Sequence, residues 1–131
     1  MIVVDTQVLA YLCLPGDFTT SAEALLQRDA DWAAPVLWRS EFRNILAGYL
    51  RRGSLTFTQA LALQAEAQAL LSGREHDVDS AQVLALVRDT TCSAYDCEFV
   101  ALADQLNVPL QTMDGKLLQA FPRRAISLTA S

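Results

Sequence analysis

The chain has a single histidine, His76, and three cysteines, Cys13, Cys92 and Cys97, with no Cys-x-x-Cys pair among its 131 residues. A structural zinc cage, which needs four nitrogen or sulfur ligands, is therefore excluded. His76 sits in the polar turn Arg74-Glu75-His76-Asp77 without the partners of a nucleophilic triad. The odd number of thiols reads as three packing residues, each behaving as a small hydrophobe. Long apolar runs are also missing. Stretches such as Val83-Leu84-Ala85-Leu86-Val87 fall far short of the roughly 20 residues that span a bilayer, so no membrane partner is expected. The opening Met1-Ile2-Val3-Val4-Asp5 lacks the cationic region of a signal peptide, and the expected location is the cytoplasm. Basic charge is scarce too. Ten Lys and Arg face 15 Asp and Glu for a net charge of -5, which argues against gripping nucleic acid through a broad basic surface. Lys116 is the one lysine; the other cations are arginines, which suit bidentate phosphate contact, so their placement matters more than their sum.

What is present is a globular composition, 52% apolar and 19% charged. Residues 1–131 read as a single domain able to bury roughly two-thirds of its unfolded surface. Ile2 to Val4 is a short β-branched run followed by helix-like Thr6 to Leu14, which Pro15-Gly16-Asp17 stops. Thr19, Thr20 and Ser21 offer N-caps for a helix to Arg28, and Trp32 to Pro35 reads as a strand. Leu37, Trp38, Phe42, Ile45, Leu46, Tyr49 and Leu50 recur at helical spacing until Gly53. Thr56 to Leu71 is a further helix, and Asp79 with Gln82 opens another that runs to Asp89. Ser93 to Asp96 has capping-box spacing before a helix that Asn107 ends. Pro109 to Thr112 is a strand, Asp114 to Ala120 a short helix, and Ala125 to Leu128 a last strand. Strands separated by helices imply right-handed parallel crossovers, hence an α/β fold, a three-layer sandwich with a central parallel sheet flanked by helices.

In such a sheet, ligands bind beyond the carboxyl ends of the strands. Asp5 directly follows the first strand, and Asp114 comes two residues after Leu110-Gln111-Thr112. Asp96 lies in the first turn of its helix, where the dipole favours an anion. Glu41 falls on a stripe with Leu37, Asn44 and Gly48 beside the apolar face of Trp38, Phe42, Ile45 and Tyr49. A carboxylate there costs several kcal/mol unless it is paired or binds a metal. Each acid also has a plain structural role open to it: N-caps for Asp5 and Asp114, a capping-box acid for Asp96, a solvated rim position or an Arg43 or Arg51 pairing for Glu41. Together they form a candidate site. Clustered carboxylates stay ionised only around a cation, and oxygen donors without Cys or His favour Mg²⁺ or Mn²⁺ over zinc.

These residues resemble the PIN-domain ribonucleases, and more narrowly the VapC toxins of type II toxin–antitoxin pairs. Ile2-Val3-Val4-Asp5-Thr6 is similar to the opening motif. Ala34-Pro35 with Ser40-Glu41-Phe42-Arg43-Asn44-Ile45-Leu46 resembles the glutamate helix. Tyr95-Asp96 with Ala101-Leu102-Ala103 resembles the third motif, and Thr112-Met113-Asp114 the fourth. Gln7 departs from the pattern, where Asn or Ser often follows the Asp-Thr pair. The resemblance implies a metal-dependent endoribonuclease in which Asp5, Glu41, Asp96 and Asp114 hold one or two divalent ions, Mg²⁺ or Mn²⁺. It places Thr6, Asn44 and Thr112 behind those carboxylates as orienting groups. Arg39 and Arg43, one turn apart on the Glu41 helix, are the candidate RNA phosphate contacts. The implied partners are an RNA substrate, a cognate antitoxin protein and a second copy of the chain in a homodimer. Glu98 points off the Asp96 face and reads as solvated.

The alternative function is a catalytically silent PIN-like binding module that acts through a protein partner, using Ala/Leu helices with more apolar residues than one face requires. Receiver and dehalogenase-like phosphatase readings fit poorly. Asp5-Thr6-Gln7 lacks the second Asp of a D-x-D nucleophile, and Lys116 follows Asp114 rather than ending a late strand.

Overall fold

The computed structural model describes residues 1–129. Its elements run β1 (Ile2–Val4), α1 (Thr6–Cys13), α2 (Thr19–Arg28), β2 (Trp32–Pro35), α3 (Trp38–Arg51), α4 (Phe57–Leu70), β3 (Glu75–His76), α5 (Ser80–Asp89), α6 (Ala94–Leu106), β4 (Leu110–Thr112), α7 (Gly115–Ala120) and β5 (Ala125–Ser127). The strands form one five-stranded sheet in the order β3-β2-β1-β4-β5. Every pairing is parallel, so all strand carboxyl ends lie along one edge. Helices on both faces complete the three-layer α/β fold expected from the sequence.

The central strand is the first. β1 pairs with β2 on one side, Ile2 opposite Trp32, and with β4 on the other, Val3 opposite Leu110. All residues of β1, β2 and β4 are buried, as parallel strands covered on both faces must be; β1 and β2 are accordingly apolar throughout, while β4 also buries the polar Gln111 and Thr112. α6 crosses β1, β2 and β4 and buries Phe99, Val100 and Leu102, with α5 packed against it. α3 turns Trp38, Phe42 and Leu46 inward at helical spacing. The Trp38 and Phe42 rings meet edge-on at 5.8 Å, and the Trp38 indole N–H donates to Glu75 Oε1 at 2.6 Å. Cys92 and Cys97 are buried free thiols and Cys13 a half-buried one, packing residues as their surroundings suggested.

Element ends follow local chemistry. Thr56 accepts from the Gln59 N–H while the Gln59 side chain accepts from the Thr56 N–H, a reciprocal cap that starts α4. Asn107 ends α6 in the left-handed region at φ 54°. Three expectations need correction. Ser93 accepts from the Asp96 N–H, but only this half of the proposed capping box is present. α2 begins after Phe18 without a side-chain cap, because the Thr19 hydroxyl instead donates to Tyr11 O and Leu14 O and fastens the end of α1. The stretch around His76 is not a free turn. Backbone bonds from Ala34 N to Arg74 O and from Val36 N to His76 O make it the edge strand β3.

Candidate active site

The carboxyl edge of the sheet holds a cavity of about 550 Å³. Asp5 and Thr6 at the start of α1, Glu41 and Asn44 on α3, Asp96 on α6 and Asp114 before α7 all line it. Four elements distant in sequence thus deliver the four acids to one space.

Asp5 is 7% exposed and does two jobs at once. Its Oδ1 accepts from Val8 N at 3.1 Å, capping α1, while its other carboxylate oxygen accepts from the Thr112 hydroxyl. Burial pushes its pKa up to about 6; the bonds from Thr112 and Val8 oppose that rise, and the neighbouring charge of Asp114 adds to it. The Thr112 hydroxyl, itself fully buried, also accepts from Asp114 N at 3.0 Å, so one side chain fixes both β1-end and β4-end carboxylates. Asp114 caps α7, accepting from Lys116 N at 2.9 Å and Leu117 N at 3.2 Å.

Glu41 accepts from the Thr6 hydroxyl at 2.7 Å. Its pKa is raised, first by burial and then by the charge of Asp96, with the Thr6 bond opposing. Asp96 is raised by burial and by Asp114, while Ser93 and the Lys116 ammonium pull it down. Asp5, Asp114, Asp96 and Glu41 therefore sense one another in series around the cavity. The structural and functional readings of Asp5 and Asp114 are compatible: Asp114 caps through Oδ1 alone, and each Asp5 oxygen, though it accepts one bond, retains a second lone pair.

No three His, Cys, Asp or Glu side chains among the described residues are already drawn together as a metal cage. The cavity is an open, oxygen-only, acid-lined space. Mg²⁺ and Mn²⁺ suit it, because Mg²⁺ keeps several waters and is usually held by only one or two carboxylates.

Of the residues singled out in the sequence, Thr6 and Thr112 bond directly to Glu41 and Asp5, and Asn44 lines the cavity. Arg39 and Arg43 do not line it. Arg39 grips Glu75 through two bonds, Nε to Oε1 at 2.6 Å and a terminal nitrogen to Oε2 at 2.7 Å. Arg43 lies exposed, donating to Arg39 O. Two residues escaped the sequence reading. Lys116 sets its charge against Asp96, and Tyr95, 62% exposed, stands on the rim as an aromatic surface. Tyr95 directly precedes Asp96 in the first turn of α6, and that position was the available signal.

The PIN domain family model matches residues 2–122. The chain belongs to the PIN domain family. No curated protein matches it at a comparable level of significance. Among solved structures, this PIN domain resembles PAE2754 from Pyrobaculum aerophilum at TM-score 0.77 and 19% identity, covering 97% of this chain and 90% of that one. It resembles a toxin–antitoxin complex from Klebsiella pneumoniae at TM-score 0.71 and 15% identity, with 100% of both chains covered. A third likeness is to VapC20 of Mycobacterium tuberculosis, described as a sarcin-ricin loop cleaving toxin, at TM-score 0.67 and 21% identity, over 92% of this chain and 95% of that one. At these identities the likenesses establish the fold. Membership of the PIN family places the chain among nuclease-type hydrolases. No helix among its described residues is long and apolar enough to cross a membrane.

Proposed function

We propose that this PIN domain is a metal-dependent endoribonuclease of the VapC type, the toxin of a toxin–antitoxin pair. One observation carries the reading: Asp5, Glu41, Asp96 and Asp114 line a single cavity, and their burial and mutual repulsion call for a cation. Mg²⁺ or Mn²⁺ bound there supplies Lewis-acid activation of water and of a phosphodiester. The chain's own contribution is positioning. Thr112 holds Asp5 and Asp114 in register, Thr6 holds Glu41, and the first turn of α6 presents Asp96. Asp5, whose burial raises its carboxyl in the absence of a cation, is the acid that gains most from a bound divalent ion. Lys116 and Arg43 are the candidate phosphate contacts, since Arg39 is committed to Glu75.

Protein partners belong to the same proposal. Phe57 and Leu61 stand exposed one turn apart on α4, an apolar surface suited to an antitoxin or to a second copy of the chain. The Klebsiella neighbour, solved as a toxin–antitoxin complex, supports an antitoxin partner.

The test is cleavage of RNA by the purified protein with Mg²⁺ or Mn²⁺, stopped by chelation. Asp5→Asn and Asp96→Asn should each lower the rate by ~10² or more, with folding confirmed by thermal melting. Wild-type rates in both variants overturn the acid-cavity mechanism, and no metal-dependent cleavage by the wild type leaves the silent binding module.

A further inference from the structure

A second cavity, about 460 Å³, opens on the same carboxyl edge, where β2 and β3 end. Leu37 is part of its wall and also part of the acid cavity's wall, so the two spaces adjoin. Glu98 lines the second cavity only, two residues along α6 from Asp96, which lines the acid cavity. The expectation that Glu98 is simply solvated therefore needs amending: it is half-buried and faces a space of its own.

The lining has the makeup of a small-molecule site, with apolar walls and a few polar groups. Val36 and Leu84 form apolar lips, 45% and 62% exposed. Asp77 and Glu98 supply carboxylate acceptors, and the His76 imidazole forms part of the wall with its Nε2 buried and without a hydrogen-bond partner. No lysine or arginine among the described residues lines it, so a phosphate is not its ligand. A flat, neutral group with adjacent N–H donors suits apolar lips and two carboxylates. Among nucleobases, guanine presents a ring N–H beside an exocyclic amino group, whereas uracil would turn carbonyl oxygens toward the acids. Single-stranded RNA is read in this way, by splayed bases sandwiched between side chains and bonded along their edges.

The geometry points to this cavity as a guanine-selecting subsite for a nucleotide flanking the phosphate handled by the adjoining acid cavity. The inference rests on the reading that the acid cavity acts on RNA.

His76 is the only histidine, so its ring signals in an NMR spectrum report the cavity without ambiguity. Guanosine at millimolar concentration should shift them saturably, while uridine and free ribose should leave them in place. Asp77→Asn and Glu98→Gln should each weaken the guanosine response roughly tenfold, as expected for loss of a charged acceptor to a base edge. An unmoved His76, an equal response to guanosine and uridine, or variants that bind guanosine like wild type would each overturn the assignment. Metal-dependent RNA cleavage measured on the same samples separates the two claims. Cleavage without a guanosine response removes the subsite and keeps the nuclease; a guanosine response without cleavage keeps the cavity's selectivity and removes the nuclease.

Discussion

Asp5 carries the sharpest conflict between stability and chemistry in the molecule. Its carboxyl is buried and titrates near 6, against an ordinary value of 3.8. A carboxyl raised in the folded state favours folding when protonated. That contribution is complete below about 3.8 and is lost as pH rises through 6. At neutral pH the ionised form costs the metal-free fold about 3 kcal/mol relative to the protonated one, at 1.36 kcal/mol per unit. Asp5→Asn should therefore stabilise the metal-free protein at pH 7.5 by up to about 3 kcal/mol while abolishing cleavage, and the gain should vanish at pH 4. Denaturant unfolding of both proteins at the two pH values measures it; a variant less stable than wild type at pH 7.5 refutes the account. Thr112 works on the same group from the other side. Thr112→Val removes the hydroxyl that donates to Asp5 and accepts from Asp114 N. Mn²⁺ affinity measured by calorimetry should fall ~10- to 100-fold, the usual cost of losing a group that orients a ligand.

At the scale of elements, β3 shows what local sequence conceals. Two residues have no periodicity, and Arg74-Glu75-His76-Asp77 is polar enough to read as a turn. The strand exists because β2, which lies far earlier in the chain, pairs with it, and α3 fastens it from the side. Glu75 accepts from the indole of buried Trp38 and from two nitrogens of Arg39, fixing the edge of the sheet to the helix that carries Glu41. Glu75→Ala leaves the Trp38 N–H unsatisfied and should destabilise the protein by roughly 1–3 kcal/mol, measured by denaturant unfolding. Arg39 holds the Glu75 carboxyl below its usual range, so this part of the stability is present at neutral pH and is lost as pH falls. The same pairing explains why Arg39 read as a phosphate contact: spacing showed it one turn from Arg43 but not its partner 36 residues away. α3 was legible because burial imposes its helical periodicity, α4 because Thr56 and Gln59 cap its start, and β1 because a strand buried on both faces is a continuous β-branched run. Asp5 and Asp114 were legible as strand-end residues, since a parallel sheet puts every strand's carboxyl end on one edge. Lys116 was not, because only the fold brings the start of α7 near Asp96 on α6, whereas Tyr95 stands beside Asp96 in the sequence itself.

For the whole molecule, the balance of charge sets the expected mode of RNA binding. A net charge of -5 gives no long-range attraction to a polyanion, and Arg39, Arg74, Arg88 and Arg124 are each paired with a carboxylate. A protein that neutralises many phosphates loses affinity steeply with salt, with a slope near -0.7 per phosphate on single strands. On the proposed nuclease reading, Lys116 and Arg43 offer few such contacts, and the acids would repel the strand until a divalent ion reversed the local sign. Binding of a non-cleavable RNA analogue should therefore respond weakly to monovalent salt, with a slope shallower than about -2, and strongly to chelation. Fluorescence anisotropy across a KCl series, with and without Mn²⁺, separates the two dependences. Asp96→Asn should remove most of the Mn²⁺ dependence and leave the salt slope unchanged. A steep salt slope that survives chelation would mean that an arginine surface, not the acid cavity, holds the strand.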